Sequence, residues 1–169
     1  TKVAPTADDL TMYRKASRVG AIVMLVASLG VVVTGDLQGK VMTEVQPMKM
    51  AAAEALYETE QPASFSAFTI GSLDGSQEKF AVTVPRVLSF LATGDFNGKV
   101  EGINDLRREL PAAIAEKNKE YGIPAEYISP SSYVPNIPGS YWSFRFMMGL
   151  GFFAMGAAAL VLWVTRKGA

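Results

Sequence analysis

The chain has 169 residues, 16 basic and 16 acidic side chains, and neither cysteine nor histidine. A disulfide framework and a Cys/His zinc site are therefore excluded, and a neutral chain without a basic run is not built for nucleic acid. Hydrophobic residues make up 49% and gather in two blocks, a distribution that points to a membrane protein rather than an ordinary soluble domain.

The first block, "ASRVGAIVMLVASLGVVVTG", carries no charge from Val19 to Thr34. Starting the helix at Tyr13, with Arg14, Lys15 and Arg18 snorkelling to the interface, gives the roughly 20 residues that a membrane span needs. Gly35, Asp36 and Gly39 then offer an end to the span and a turn.

A second, short helix is expected from about Val45 to Tyr57, where "KMAAAEALYE" is built from strong helix formers. Lys49 and Glu54 lie about 140° apart around it, so they are not a surface pair. By pattern alone this is a solvated helix with scattered charges, although Glu54 has little local company among its alanines. Phe65, Phe68 and Ile70 are closely spaced apolar residues, and Asp74-Gly75 is a turn signal. "KFAVTVPRVLSFLAT" contains Pro85 and Arg86, which favours an interfacial or packed segment over a third span, and Asn97-Gly98 marks another turn.

From Ile103 to Glu120, Ile103, Leu106, Leu110 and Ile114 recur at helical spacing beside alternating charges, with Pro111 expected to break or restart the helix. Four prolines between 124 and 138 suggest an extended lead-in to the second block. A connection of about 105 residues with elements of its own is a functional loop by length.

The second block runs from Tyr141 to Gly168, with Trp142 and Trp163 about 31 Å apart along a helix, one near each interface. Arg145 lies just inside Trp142, where a charge must snorkel or meet an anion such as a haem propionate. Met147 and Met148 follow, and methionine in an apolar helix ordinarily packs. Gly149, Gly151, Gly156 and their alanine neighbours allow close approach of another helix. Basic residues before the first span and after the second put both ends in the cytoplasm. The expected organisation is a cytoplasmic lead-in over 1–12, a transmembrane helix over 13–35, an extracytoplasmic loop over 36–140, a transmembrane helix over 141–165 and a cytoplasmic end over 166–169. The fold class is an all-α membrane protein, two spans joined by a long, partly helical loop within a larger helical bundle. A start without methionine or signal-peptide regions reads as a piece of a larger polytopic protein.

"GDLQGKVMTEVQPMKMAAAEALYET", residues 35–59, and "YWSFRFMMGLG", residues 141–151, resemble subunit I of cytochrome bd-type quinol oxidases, in order and on the expected side of the membrane. The resemblance implies a quinol-oxidising segment whose loop is the family's Q-loop, in its short form. Lys49 and Glu54 match the family's catalytic and quinol-binding lysine and glutamate, and Asp36 an acidic residue linked to the same site. Met147, fourth in "FRFM", matches the axial methionine of low-spin haem b, and Arg145 the arginine beside that haem; Met148 does not match. A desolvated glutamate is tuned as a proton acceptor near neutral pH, and a lysine can stabilise a deprotonated quinol oxygen.

The resemblance further implies high-spin haem b and haem d in the full complex, with the rest of subunit I, subunit II and small accessory subunits as partners in a bacterial plasma membrane. Without histidine, the second axial ligand of the low-spin haem has to come from outside this sequence. The rival is a non-enzymatic two-span protein whose outer domain binds a partner. A transporter segment is a weaker third, since Ser28 alone is polar at mid-depth of the first span.

Overall fold

A computed structural model describes residues 6–72, 76–122 and 134–166. In chain order it contains α1 (Ala7–Val45), α2 (Pro47–Glu54), β1 (Phe65–Gly71), β2 (Glu78–Val84), α3 (Val87–Thr93), α4 (Ile103–Glu120) and α5 (Ile137–Val164). The chain divides into two compact units, Thr1–Gly35 with Phe146–Ala169, and Asp36–Arg145. The fold is mostly helical, as expected, with a two-stranded hairpin added.

α1 and α5 are both long and apolar enough to cross a membrane. α1 is one uninterrupted helix of 39 residues, about 58 Å long. Gly35, Asp36 and Gly39, expected to end it, lie inside. Glycine in a helix interior costs only about 1 kcal/mol. An i,i+4 pair from Lys40 to Asp36 at 2.6 Å and a Thr43 hydroxyl donating to the Gly39 carbonyl support the turn across them.

Within the first unit, the basic residues of α1 bind the C-terminal end of α5. Arg14 donates from Nε to the Thr165 carbonyl at 3.1 Å, and Arg18 Nη1 reaches the Leu162 carbonyl at 3.4 Å and the Thr165 hydroxyl at 3.2 Å. The last carbonyls of a helix lack intrahelical donors and carry its negative end, so two guanidinium groups satisfy both needs. Among the described residues, glycines 20, 30, 149, 151 and 156 meet nothing within 4 Å of a notional Cβ, which leaves these small-residue positions open there.

The second unit is organised around α2. Its Pro47 occupies the first turn, and Ala55, at φ 51°, ψ 39°, ends it in the left-handed conformation. Leu56 N–H donates to the Ala51 carbonyl at 2.9 Å and Ala55 N–H to that of Ala52 at 3.3 Å, the paired bonds of a Schellman ending, here without glycine. The helix therefore stops at Glu54, short of the expected Tyr57. It is not solvated: Met48 and Met50 to Glu54 are all buried. Met48, Ala51, Ala52 and Ala55 enter one apolar cluster with Tyr57, Ile103, Leu106, Ile137 and Tyr141. Met50 and Leu56 enter a second, with Ala63, Leu88, Ala92 and Val100.

The segment after α2 caps α4 from the backbone. Ile103 and Asn104 N–H groups donate to the Leu56 and Tyr57 carbonyls at 2.9 Å each, and Glu60 pairs with Val100 in an antiparallel bridge. Gly102 permits this approach, since a Cβ there would lie 2.2 Å from the Glu58 carbonyl carbon. α4 covers the stretch read from the sequence and buries Ile103 and Leu106, but Pro111 lies within it without breaking it. Pro111 itself is half-buried, and the helix runs on through it at the loss of one backbone hydrogen bond. The expected Asp74-Gly75 turn lies outside the described residues. Pro85 and Arg86 are exposed and link β2 to α3, which packs through Leu88, Ser89 and Ala92, and Gly98 N–H closes the expected turn on the Asp95 carbonyl. The expected extended lead-in lies mostly outside the described residues, while Ile137, ahead of Pro138, already begins α5.

β1 and β2 pair antiparallel, with Phe65 opposite Val84 and Thr69 opposite Ala81, and with register irregularities between Ser66 and Phe68 and between Ile70 and Gly71. The first irregularity inserts an extra residue, so Ser66 and Thr69 are both buried despite their odd spacing. Phe68 on the exposed side meets Trp142 edge to face at 5.2 Å.

Candidate functional site

Glu54 closes α2 in the most enclosed part of the second unit, with 2% of its side chain exposed. An ionised carboxylate cannot remain there without a partner. The partner comes from 91 positions further on: Arg145 Nη2 donates to Glu54 Oε2 at 2.6 Å and Nη1 to Oε1 at 3.3 Å. Arg145 is 9% exposed at its side chain and donates from Nε to the Ser66 carbonyl at 2.8 Å. Its guanidinium carbon lies 4.4 Å from the Phe65 ring centroid and 4.7 Å from that of Tyr141. The two-pronged contact matches the geometry in which arginine binds carboxylates most strongly. Burial pushes the Glu54 carboxyl above the usual carboxylate range, while the hydrogen bonds and charge of Arg145 pull it back.

Thus two residues read separately from the sequence, Glu54 as a loop carboxylate and Arg145 as a charge at the head of a span, form one buried unit. Lys49 is exposed on α2 while Glu54 is buried, and no contact joins them. Asp36 is engaged by Lys40 on α1, with both side chains 32% exposed. Met147, on α5 beyond the pair, is 61% exposed. Ser66, Thr69 and Tyr141 were not legible as site residues, because the irregularity in β1 hides the inward face of Ser66 and Thr69 from simple alternation. An open cleft of about 260 Å³ beside Pro47, Met50, Lys99 and Glu101 includes none of the five expected site residues.

Two helices fit to span a membrane, joined by a folded segment that buries an ion pair against the head of the second, define a helical membrane protein with a structured loop. The sequence matches the family described as Cytochrome bd terminal oxidase subunit I over residues 2–168, and the chain belongs to that family. It is 35% identical over 162 residues, 94% of this chain, to cytochrome bd ubiquinol oxidase subunit 1 of Bacillus subtilis (strain 168), and covers 31% of that protein. It is 24% identical, over 89% of this chain and 38% of the relative, to cytochrome bd-II ubiquinol oxidase subunit 1 of Escherichia coli (strain K12). The chain thus spans about a third of the length of these curated relatives. Among solved structures, the bd oxidase of Geobacillus thermodenitrificans matches with a TM-score of 0.45 and 26% identity, over 86% of this chain and 36% of that one. Family and apolar helices together support a bacterial membrane location.

The family implies haem. Among the described residues no cluster of three His, Cys, Asp or Glu could hold a metal. A thioether is nonetheless an iron donor, and Met147, exposed on α5, would have the chemistry to hold a haem iron. Arg145 has two of its five N–H donors left beyond Glu54 and Ser66, so an anionic group near it would share the guanidinium with Glu54.

Proposed function

We propose that the chain is the quinol-oxidising segment of a bd-type quinol:oxygen oxidoreductase, with residues 36–140 as an extracytoplasmic Q-loop and both ends in the cytoplasm. The observation that carries this reading is the buried Glu54–Arg145 pair. Oxidation of a quinol to a quinone releases two protons and two electrons, and the site must take the first proton without water. Glu54 is the acceptor: desolvation makes its carboxylate a stronger base than a solvated one. It leaves one prong of Arg145 to receive the quinol hydroxyl proton, and the guanidinium keeps the pocket's charge in balance while Glu54 is still ionised.

Exposed Lys49 stabilises the deprotonated quinol oxygen, and Asp36, half-buried beside Lys40, lies at the entrance to the loop as a further acidic group for that site. Met147 and Arg145 would hold the low-spin haem b, which when bound would supply the electron acceptor. High-spin haem b, haem d, subunit II and the rest of subunit I belong to the parent complex.

The test is Glu54→Gln in the assembled complex, with oxygen uptake driven by quinol or by an artificial donor that reduces the haems directly. Loss of quinol-driven uptake with donor-driven uptake intact is the expected result. Retention of both removes Glu54 from the site.

A further inference from the structure

Behind the Glu54–Arg145 pair lies a second layer of buried hydroxyls. Tyr141, 1% exposed, is hydrogen-bonded through its hydroxyl to that of Ser66 at 2.9 Å, and Ser66 in turn to the Thr69 hydroxyl. Ser66 and Thr69 are 5% and 2% exposed. Phenylalanine and alanine would fill this space without desolvating three hydroxyls, so packing alone does not account for them. Their placement is specific. Tyr141 and Arg145 are one turn apart on the same face of α5, and the Tyr141 ring flanks the guanidinium at 4.7 Å. The Ser66 carbonyl, held by the hydroxyl tie of its own residue to Tyr141, accepts the Arg145 Nε–H. The guanidinium is thereby fixed in plane and rotation before it meets Glu54.

We propose that Tyr141 and Ser66 are positioning residues that act through Arg145 to hold both of its prongs on Glu54, and so govern proton transfer from quinol to Glu54. This rests on the reading of Glu54 as the proton acceptor. Arg145 is the charged group facing Glu54 from α5 among the described residues. β1 contributes the Ser66 carbonyl and the Phe65 ring beside Arg145 but no charge. α4, packed on α2, contributes Ile103 and Leu106 to the core, with its Asp105 engaged by Thr59. Lys49 on α2 itself is exposed. Loosening Arg145 therefore has one electrostatic consequence, a Glu54 that holds its proton more tightly.

The experiment uses the assembled oxidase carrying Tyr141→Phe or Ser66→Ala, with quinol-driven and artificial-donor oxygen uptake measured across pH. In both variants the acidic limb of the quinol-driven profile should move up by about half to one pH unit. Turnover below that limb should fall several-fold, with KM for quinol and donor-driven uptake near wild type. An unmoved limb in both variants, where Glu54→Gln abolishes quinol-driven uptake, overturns the positioning role and leaves the Glu54 reading standing. Retained quinol-driven uptake in Glu54→Gln removes that reading and the positioning role with it. Failure of both variants to assemble, by haem content, also overturns it, since the hydroxyls would then serve folding.

Discussion

Replacing Arg145 by methionine keeps a long apolar stem but strips Glu54 of its only charged contact among the described residues. The pair is bidentate, at 2.6 and 3.3 Å, and Glu54 is 2% exposed, so water cannot replace the guanidinium. Removing one member of a buried pair costs about 3–5 kcal/mol, because the other is left as an uncompensated charge. That corresponds to roughly two to three and a half decades in a local opening equilibrium. Glu54 escapes part of the penalty by taking up a proton. Its folded-state carboxyl already lies above the value of 4.5 through burial, and loss of Arg145 removes both opposing contributions, raising it further. A raised folded-state acid contributes stability that is lost as pH climbs from the unfolded value through the folded one. The variant should therefore be near wild type in acid and progressively weaker toward alkaline pH. Amide hydrogen exchange of residues 47–56 in the assembled complex reads this directly, with α2 protection falling by the stated decades near pH 8 and much less near pH 5. Adding Glu54→Leu should restore protection at both, since two apolar side chains replace the pair. Unchanged α2 protection in Arg145→Met at alkaline pH would refute the buried pair as drawn.

Gly102→Ala should lower loop stability by roughly 2–4 kcal/mol, because its Cβ would meet Glu58 and Thr59 backbone at 2.2–2.6 Å, and faster proteolysis between residues 56 and 104 would report it. Asp36→Asn should change stability by less than about half a kcal/mol, since the Lys40 pair is one-third exposed. A large fall in quinol-driven uptake at unchanged thermal stability would then mark Asp36 as functional. Met147→Leu, at an exposed site, should leave the fold intact and alter the low-spin haem b spectrum of the parent complex; an unchanged spectrum places the axial ligand elsewhere.

The two spanning helices were legible because apolar runs with basic flanks are a local signal, and α4 because Ile103, Leu106 and Leu110 keep one period throughout. The angular separation of Lys49 and Glu54 showed only that they are not a surface pair; the pattern otherwise read as a solvated helix, whereas Lys49 is exposed and Glu54 buried. What the pattern lacked was distance in sequence. Glu54 and Arg145 meet across 91 positions, and no local period encodes such a pairing. The burial of α2 was hidden for a related reason. Alanine is too small to register as an apolar stripe, yet its size is what lets α2 pack closely between the two clusters. Gly35, Gly39 and Pro111 carry breaker chemistry in isolation, but the surrounding helices outweigh one residue's propensity.

The sharing of α2 between two apolar clusters also bears on how the loop comes apart. Met48 and Ala52 anchor one cluster and Met50 and Leu56 the other, all within little more than two helical turns. An eight-residue helix is too short to persist on its own in water. Unwinding it withdraws the central wall of both clusters in one event, along with the carbonyls that cap α4. The loop is thus expected to open as a single cooperative block rather than fray segment by segment. Exchange protection in α2, the start of α4 and α3 should collapse together, at one common free energy.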